Sequence, residues 1–176
     1  MGQTICAIII KNEVVLDKQT VHFIEDDAIV VPLELHLYVE EFITEAAKFE
    51  RFEDFLASPE VLAIVAFSES EKDEGENSLK DMIDIIQTYN ISDFSVTYYA
   101  EWVGIPCEHL FMAVLDGKII QDSLWYYDHD SEEFKSGEKT EDYYNEKLGL
   151  RRTFWANEDR YFDYDTAREN YFKSIG

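Results

Sequence analysis

The densest run of possible ligand groups in this chain is Asp128-His129-Asp130-Ser131-Glu132-Glu133. Carboxylates and an imidazole so closely spaced suit hard or borderline divalent cations. Read as a calcium loop, the run begins well, with Asp128 and Asp130 at its first and third positions. It then fails: the sixth position is Glu133 rather than glycine, and the twelfth is Lys139 rather than glutamate. A divalent-metal-dependent hydrolase built on Asp128 and Asp130 is one expectation from this cluster. A solvated loop is the plainer one.

Asp159, Asp163 and Asp165 form a second acidic group, set among Tyr161, Phe162 and Tyr164. Paired carboxylates can act as general acid and base. A capped helix entrance with salt bridges to Arg160 and Arg168 accounts for the same residues. The four histidines (His22, His36, His109 and His129) make neither His-x-x-x-His nor His-Glu-x-x-His, so zinc hydrolase chemistry has no support. There is no Gly-x-Ser-x-Gly. The seven glycines make no phosphate-cradling loop or dinucleotide fingerprint. Cys6 and Cys107 form neither a disulfide framework nor a metal motif. No cofactor is expected.

The strongest signal is charge. Thirty-eight acidic residues face 15 basic ones, for a net charge of −23. The excess is uneven: residues 40–76 hold 12 acids and 3 bases, residues 121–147 hold 9 and 3, and residues 148–176 hold 5 of each. Direct nucleic-acid binding is disfavoured, because affinity for phosphates comes from clustered Lys and Arg. An anionic membrane surface is disfavoured for the same reason. A cationic protein would be attracted. Aromatic residues stand beside the acids, notably in Trp125-Tyr126-Tyr127-Asp128, and Tyr and Trp are favoured interface anchors.

The expected partner-binding set is therefore Glu41, Glu45, Glu53, Asp54, Glu71, Asp73, Glu74, Tyr126, Asp128, Asp130, Glu132 and Glu133. The expected function is an acidic inhibitory binding protein that blocks a basic nuclease, toxin or nucleic-acid-binding enzyme. In composition and size, though in no motif, this resembles immunity proteins and nucleic-acid mimics. A metal-dependent hydrolase and a structural or scaffolding subunit are the alternatives.

The elements that must position these groups read as an α+β chain, with residues 1–176 as one domain. Hydrophobic residues make up 46% of the sequence, enough to build a core. Strands are expected at 4–10, 13–16, 20–24 and 28–31. Pro32 is expected to open a helix whose apolar stripe runs through Leu35, Tyr38, Val39, Phe42, Ile43, Ala46 and Phe49. A short helix follows over 51–57, ended by Ser58-Pro59. The apolar run Val61–Phe67 reads as a buried strand, and an acidic loop covers 68–77. Ser78 caps a helix carrying Leu79, Met82, Ile83 and Ile86 on one face.

Further on, residues 94–102 alternate as a strand, and Gly104 and Pro106 break it. Asp116-Gly117 turns a hairpin between 109–115 and 118–127. Helices are expected at 142–148 and, capped by Asp165, at 166–174. The fold is then an antiparallel or mixed sheet with two to four helices packed on it, and strands 28–31 and 61–67 supply one parallel pair. No apolar run approaches the length of a membrane span, the N-terminus lacks a basic leader, and a cytoplasmic location is expected.

Overall fold

A computed structural model describes residues 4–33, 37–70, 77–102, 105–137, 139, 141–152 and 163–175. Its first strand, β1 (Thr4–Lys11), buries every residue from Ile5 to Ile10. Side chains alternate across a strand, so six consecutive buried residues require cover on both faces. The elements that follow supply it: β2 (Phe23–Glu25), β3 (Ala28–Pro32), α1 (Leu37–Ala46), α2 (Phe52–Leu56), α3 (Pro59–Ser70), α4 (Leu79–Thr88), β4 (Phe94–Trp102), β5 (Ile105–Leu115), β6 (Lys118–Ile119), β7 (Tyr126–Asp128), β8 (Glu133–Lys135), α5 (Glu141–Lys147) and α6 (Tyr164–Ile175). Six strands form one sheet in the order β2-β3-β1-β4-β5-β6, and β7 and β8 form a separate hairpin. Every pairing is antiparallel.

On one face of the sheet, Cys6, Ile8 and Ile10 join Ile29, Val31, Phe94, Val96, Met112 and Val114. They pack beneath Phe42 of α1, Phe55 of α2, Val61 of α3 and Met82 of α4. On the other face, Ile5, Ala7 and Ile9 meet Leu148, Leu150 and Tyr164, and Phe111 and Ala113 meet Tyr144 of α5. The protein is thus a single α+β domain with an antiparallel sheet and, among the described residues, six α-helices rather than two to four.

Several expectations are corrected. Residues 13–16 form no strand, and only Phe23–Glu25 of 20–24 does. Pro32 ends β3 instead of opening α1; its fixed φ is equally compatible with the end of a strand. Residues 61–67 are helical, so the expected parallel pair with 28–31 does not form. Pro59 occupies the first helical turn, where its missing N–H costs nothing. The Ser58 side chain accepts from the Val61 N–H at 3.3 Å and its carbonyl from the Leu62 N–H at 3.2 Å. That helix buries Val61, Ile64 and Ser68 but leaves Leu62 61% and Phe67 59% exposed.

Pro106 lies inside β5, opposite Glu101, where the register shifts. The turn at Asp116-Gly117 has positive φ at both residues (53° and 71°), as a type I′ hairpin needs. Its second strand stops after Ile119, however, and Gln121–Ser123 winds into a 3₁₀ turn. The last helix is capped by Asp163, not Asp165: its carboxylate accepts from the Thr166 N–H at 2.9 Å. The Ser78 cap with Asp81 forms as expected.

Three polar ties fasten the layers. The Tyr164 hydroxyl donates to the Cys6 carbonyl at 2.9 Å, pinning α6 to the central strand. The buried Asn77 amide donates to the carbonyls of Val21 (2.9 Å) and Pro32 (3.0 Å). Asp93 accepts from the Asp116 N–H at 2.7 Å and from Lys11 Nζ at 3.1 Å, joining three segments at one end of the sheet. Burial pushes the Asp93 carboxyl up, but those two donors outweigh it and hold it below the ordinary aspartate range.

Replacing Asn77 with Ala should cost about 1–3 kcal/mol in urea unfolding, because two buried carbonyls lose their donor. Asp93 sets a pH dependence. Its folded carboxyl is depressed, so its contribution is complete above the ordinary aspartate range and disappears as pH falls through the lowered value. Asp93→Asn should be less stable than the parent at neutral pH, and the difference should vanish in acid, as followed by thermal melts across pH.

Candidate functional site

The carboxylates of α1 do not all face solvent alone. Glu40, Glu41, Thr44 and Glu45 lie along one side of that helix, and with Glu60 and Ile64 of α3 and His129 they line a groove of about 640 Å³. A second groove of about 380 Å³ adjoins it, sharing Thr44, Glu45 and His129. It adds Lys48, Tyr126, Asp128 and Asp130. Two segments 80 residues or so apart in sequence are brought together because α1 packs against β7. Their two acid-rich stretches are the same ones that carry most of the charge excess.

The Asp128–Glu133 run is the exposed turn between β7 and β8, in keeping with the plainer expectation of a solvated loop. Asp128 accepts the Asp130 N–H at 3.0 Å, and Glu132 takes a positive φ of 55° to close the loop. These bonds explain the shape of the segment without a metal. The Ser131 hydroxyl, followed by the Asp130 and Ser131 N–H groups, holds the Asp128 carboxyl below its ordinary range against a weaker effect of burial. Burial and the neighbouring Asp128 carboxylate push the Tyr126 phenol up, so it stays a neutral hydrogen-bond donor at the groove wall.

Six carboxylates (Glu40, Glu41, Glu45, Glu60, Asp128 and Asp130) line the joined grooves. Among the described lining residues, only Lys48 and His129 can offset them. Lys48 donates to Glu45 at 2.8 Å, and that hydrogen bond raises its ammonium above the usual lysine range; Asp130 and Glu60 add to the effect. His129 Nε2 lies 3.3 Å from Glu40. Carboxylates in excess around a concave surface favour a positive group entering from outside.

Of the twelve residues expected from sequence, Glu41, Glu45, Tyr126, Asp128 and Asp130 meet at this site. Glu53 and Asp54 do not. They sit on α2 beside the Asp116-Gly117 turn, where the Phe52 N–H bonds the Gly117 carbonyl and Glu53 pairs with Arg51 at 3.0 Å. Glu132 and Glu133 are exposed on the turn and on β8, outside the groove lining, and Glu133 lies 3.5 Å from Lys135. Glu71, Asp73 and Glu74 lie outside the described residues.

Glu40 and Glu60 were missed. Glu40 was readable as an off-stripe position of α1. Glu60 was hidden by the strand assignment of 61–67, since only a helix starting at Pro59 brings it to the groove. No neighbouring triplet of His, Cys, Asp or Glu able to hold a metal ion occurs among the described residues.

A third cleft, about 500 Å³, is lined by Asp17, Asp81 and Asp84 among others. Each of these acids already has a local task. Asp17 accepts the Gln19 N–H at 2.8 Å, Asp81 completes the α4 capping box, and Asp84 pairs with Lys80 at 2.8 Å. The other cluster with chemical potential is buried between β4, β5 and α5. Glu141 accepts from Thr97 at 2.9 Å and from Asn145 at 3.3 Å, and lies 2.8 Å from His109 Nε2. Ser95 donates to Asn145 at 2.5 Å. Ser95 and Thr97 are wholly buried, and their hydroxyls tie α5 to the sheet.

No protein-family model, curated protein or solved structure matches the chain. No described helix is long and apolar enough to cross a membrane.

Cutting the Glu141 network should be felt in stability. Glu141→Ala removes the buried carboxylate that Thr97, Asn145 and His109 share, and a loss of about 3 kcal/mol is expected in chemical denaturation. Glu141→Gln, which keeps one acceptor oxygen, should lose clearly less.

Proposed function

We propose that this protein is an acidic inhibitory binding protein that occupies the cationic surface of a basic protein, such as a nuclease, a toxin or a nucleic-acid-binding enzyme. The observation that carries this reading is the convergence of α1, α3 and the β7–β8 turn on one groove with six carboxylates. Lysines and arginines that otherwise meet phosphates are the natural occupants of such a surface. A groove of this charge would speed encounter with a basic partner and reject acidic ones. Tyr126, half-buried on the wall, offers an aromatic surface and a neutral hydroxyl to an entering side chain.

The net charge supports the same reading from a distance. The long-range field of a chain at −23 draws a cationic protein inward, and its reach shrinks to about 3 Å in molar salt. The location proposed is the cytoplasm, whose reducing conditions suit the buried Cys6 thiol.

The test is capture from the native host with the parent protein and with a variant carrying Glu41→Lys, Glu60→Lys and Asp130→Lys. All three side chains are exposed, so the fold should persist. A basic protein held by the parent at low salt, released in molar salt and bound at least about tenfold more weakly by the variant is expected. Capture of only neutral or acidic proteins, indifferent to salt and to the three reversals, would refute the reading.

A further inference from the structure

Helix α3 wears its chemistry inside out. Its buried side is ordinary, with Val61, Ile64 and Ser68 turned to the core. Its outer side should carry charges, as surface helices do. Instead Leu62, Ala63, Ala66 and Phe67 are all exposed, the leucine and phenylalanine by more than half. At 100° per residue these four positions form one strip, and Glu60 and Glu69 fall on its two borders. Phe67 is stacked on Tyr38 of α1 at 6.2 Å, so the strip continues onto the neighbouring helix in an ordered arrangement. The Glu60 border is also the wall of the acidic groove.

A contiguous exposed apolar strip marks a surface that meets something. Three occupants suit apolar surface in general. A second copy of this chain would bring two charges of −23 together and place Glu60 and Glu69 against their own kind. An anionic membrane meets the same repulsion. A cationic amphipathic helix does not: its apolar stripe covers Leu62 and Phe67, its flanking Lys and Arg reach Glu60 and, on the other border, Glu69, which also accepts from the Ser78 hydroxyl at 2.5 Å, and the small Ala63 and Ala66 let the two backbones approach.

We infer that the outer face of α3 is the anchoring surface for a basic amphipathic helix of the partner, whose cationic edge then runs into the groove beside Glu41 and Glu60. This deepens, and rests on, the reading of the groove as the seat of a basic protein. It adds that binding is fixed by apolar anchoring on α3, with the carboxylates acting as a rim that steers and orients.

The probe is a labelled helical peptide of about 20 residues with leucines at i, i+3, i+4 and i+7 and lysines on both borders. A scrambled peptide of identical composition and a version with glutamate for lysine serve as controls. Fluorescence anisotropy with the parent protein should show the striped lysine peptide binding at least about tenfold tighter than the scrambled one. The double variant Leu62→Gln, Phe67→Gln should erase that advantage and leave the weak, salt-sensitive binding of the scrambled peptide unchanged. Both sites are exposed, and a parent-like circular dichroism spectrum verifies the fold.

Equal binding of striped and scrambled peptides would overturn the inference and leave the groove reading standing. Equal binding of the glutamate and lysine peptides would overturn the groove reading and the basic character assigned to the partner. Sedimentation of the parent as a dimer that the double variant converts to a monomer would overturn the inference in favour of a second copy.

Discussion

Everything in this fold answers to one constraint: the strand Thr4–Lys11 is apolar on both of its faces. Most antiparallel sheets can leave one face wet. This one cannot, because Ile5, Ala7 and Ile9 are as fully buried as Cys6, Ile8 and Ile10. Strands β3 and β4 must flank β1, and helices must lie on both sides. The four helices α1 to α4 take one side in sequence order. The C-terminal part of the chain takes the other, held by Tyr164 on the Cys6 carbonyl and by the Leu148–Leu150 segment.

That division of labour also sorts the charge. Helices on the first side need apolar residues only where they touch the sheet, and α1 turns its remaining positions, mostly glutamates, toward the β7–β8 hairpin. The C-terminal segment carries its own cations to a different place. Arg151 bonds Asp27 at 2.6 Å and Arg152 bonds Glu25 at 3.1 Å, so the acids of the β2–β3 turn are matched. Among the described residues, the groove between α1, α3 and the hairpin has only Lys48 and His129 to set against its acids. A chain-wide excess of negative charge is thereby converted into a local one, which no count along the sequence could show.

Much of the core was legible from sequence, for definite reasons. Ser78 with Asp81, Asp116-Gly117 and the alternation of 94–102 each obey a short-range rule, and each was read correctly. Of the apolar stripe expected for α1, Tyr38, Val39, Phe42, Ile43 and Ala46 lie on the helix and pack on the core, Phe49 lies past its end and Leu35 lies outside the described residues; Pro32 belongs to β3, because it satisfies a strand end as well as a helix start. The instructive failure is 61–67. A surface helix betrays itself by a 3.6-residue alternation of apolar and charged positions. Leu62, Ala63, Ala66 and Phe67 fill the outer positions of α3 with apolar side chains, so the period vanishes and the run looks like a buried strand. The anomaly that concealed the helix is the same one that makes its surface worth attention. Composition singled out Glu41, Glu45, Asp128 and Asp130 together with Glu53 and Glu133; that the first four line the joined grooves and the last two do not follows from α1 meeting β7.

The sheet's two margins carry a consequence of their own. At one end β2 is three residues long, and Arg152 is bonded to its Glu25. At the other, β6 is two residues long, and its outer side is taken up by the 49–52 segment: the Ile119 N–H bonds the Glu50 carbonyl and Gln121 the Phe49 carbonyl. Long unpaired strand edges are where proteins polymerise through their backbones. β2 and β6 themselves therefore offer little backbone to a cross-strand fibre, but β6 pairs only Val114 and Leu115 of the eleven-residue β5 and Trp125 bridges Phe111, so among the described residues the outer edge of β5 ahead of Phe111 is the stretch through which backbone pairing could begin.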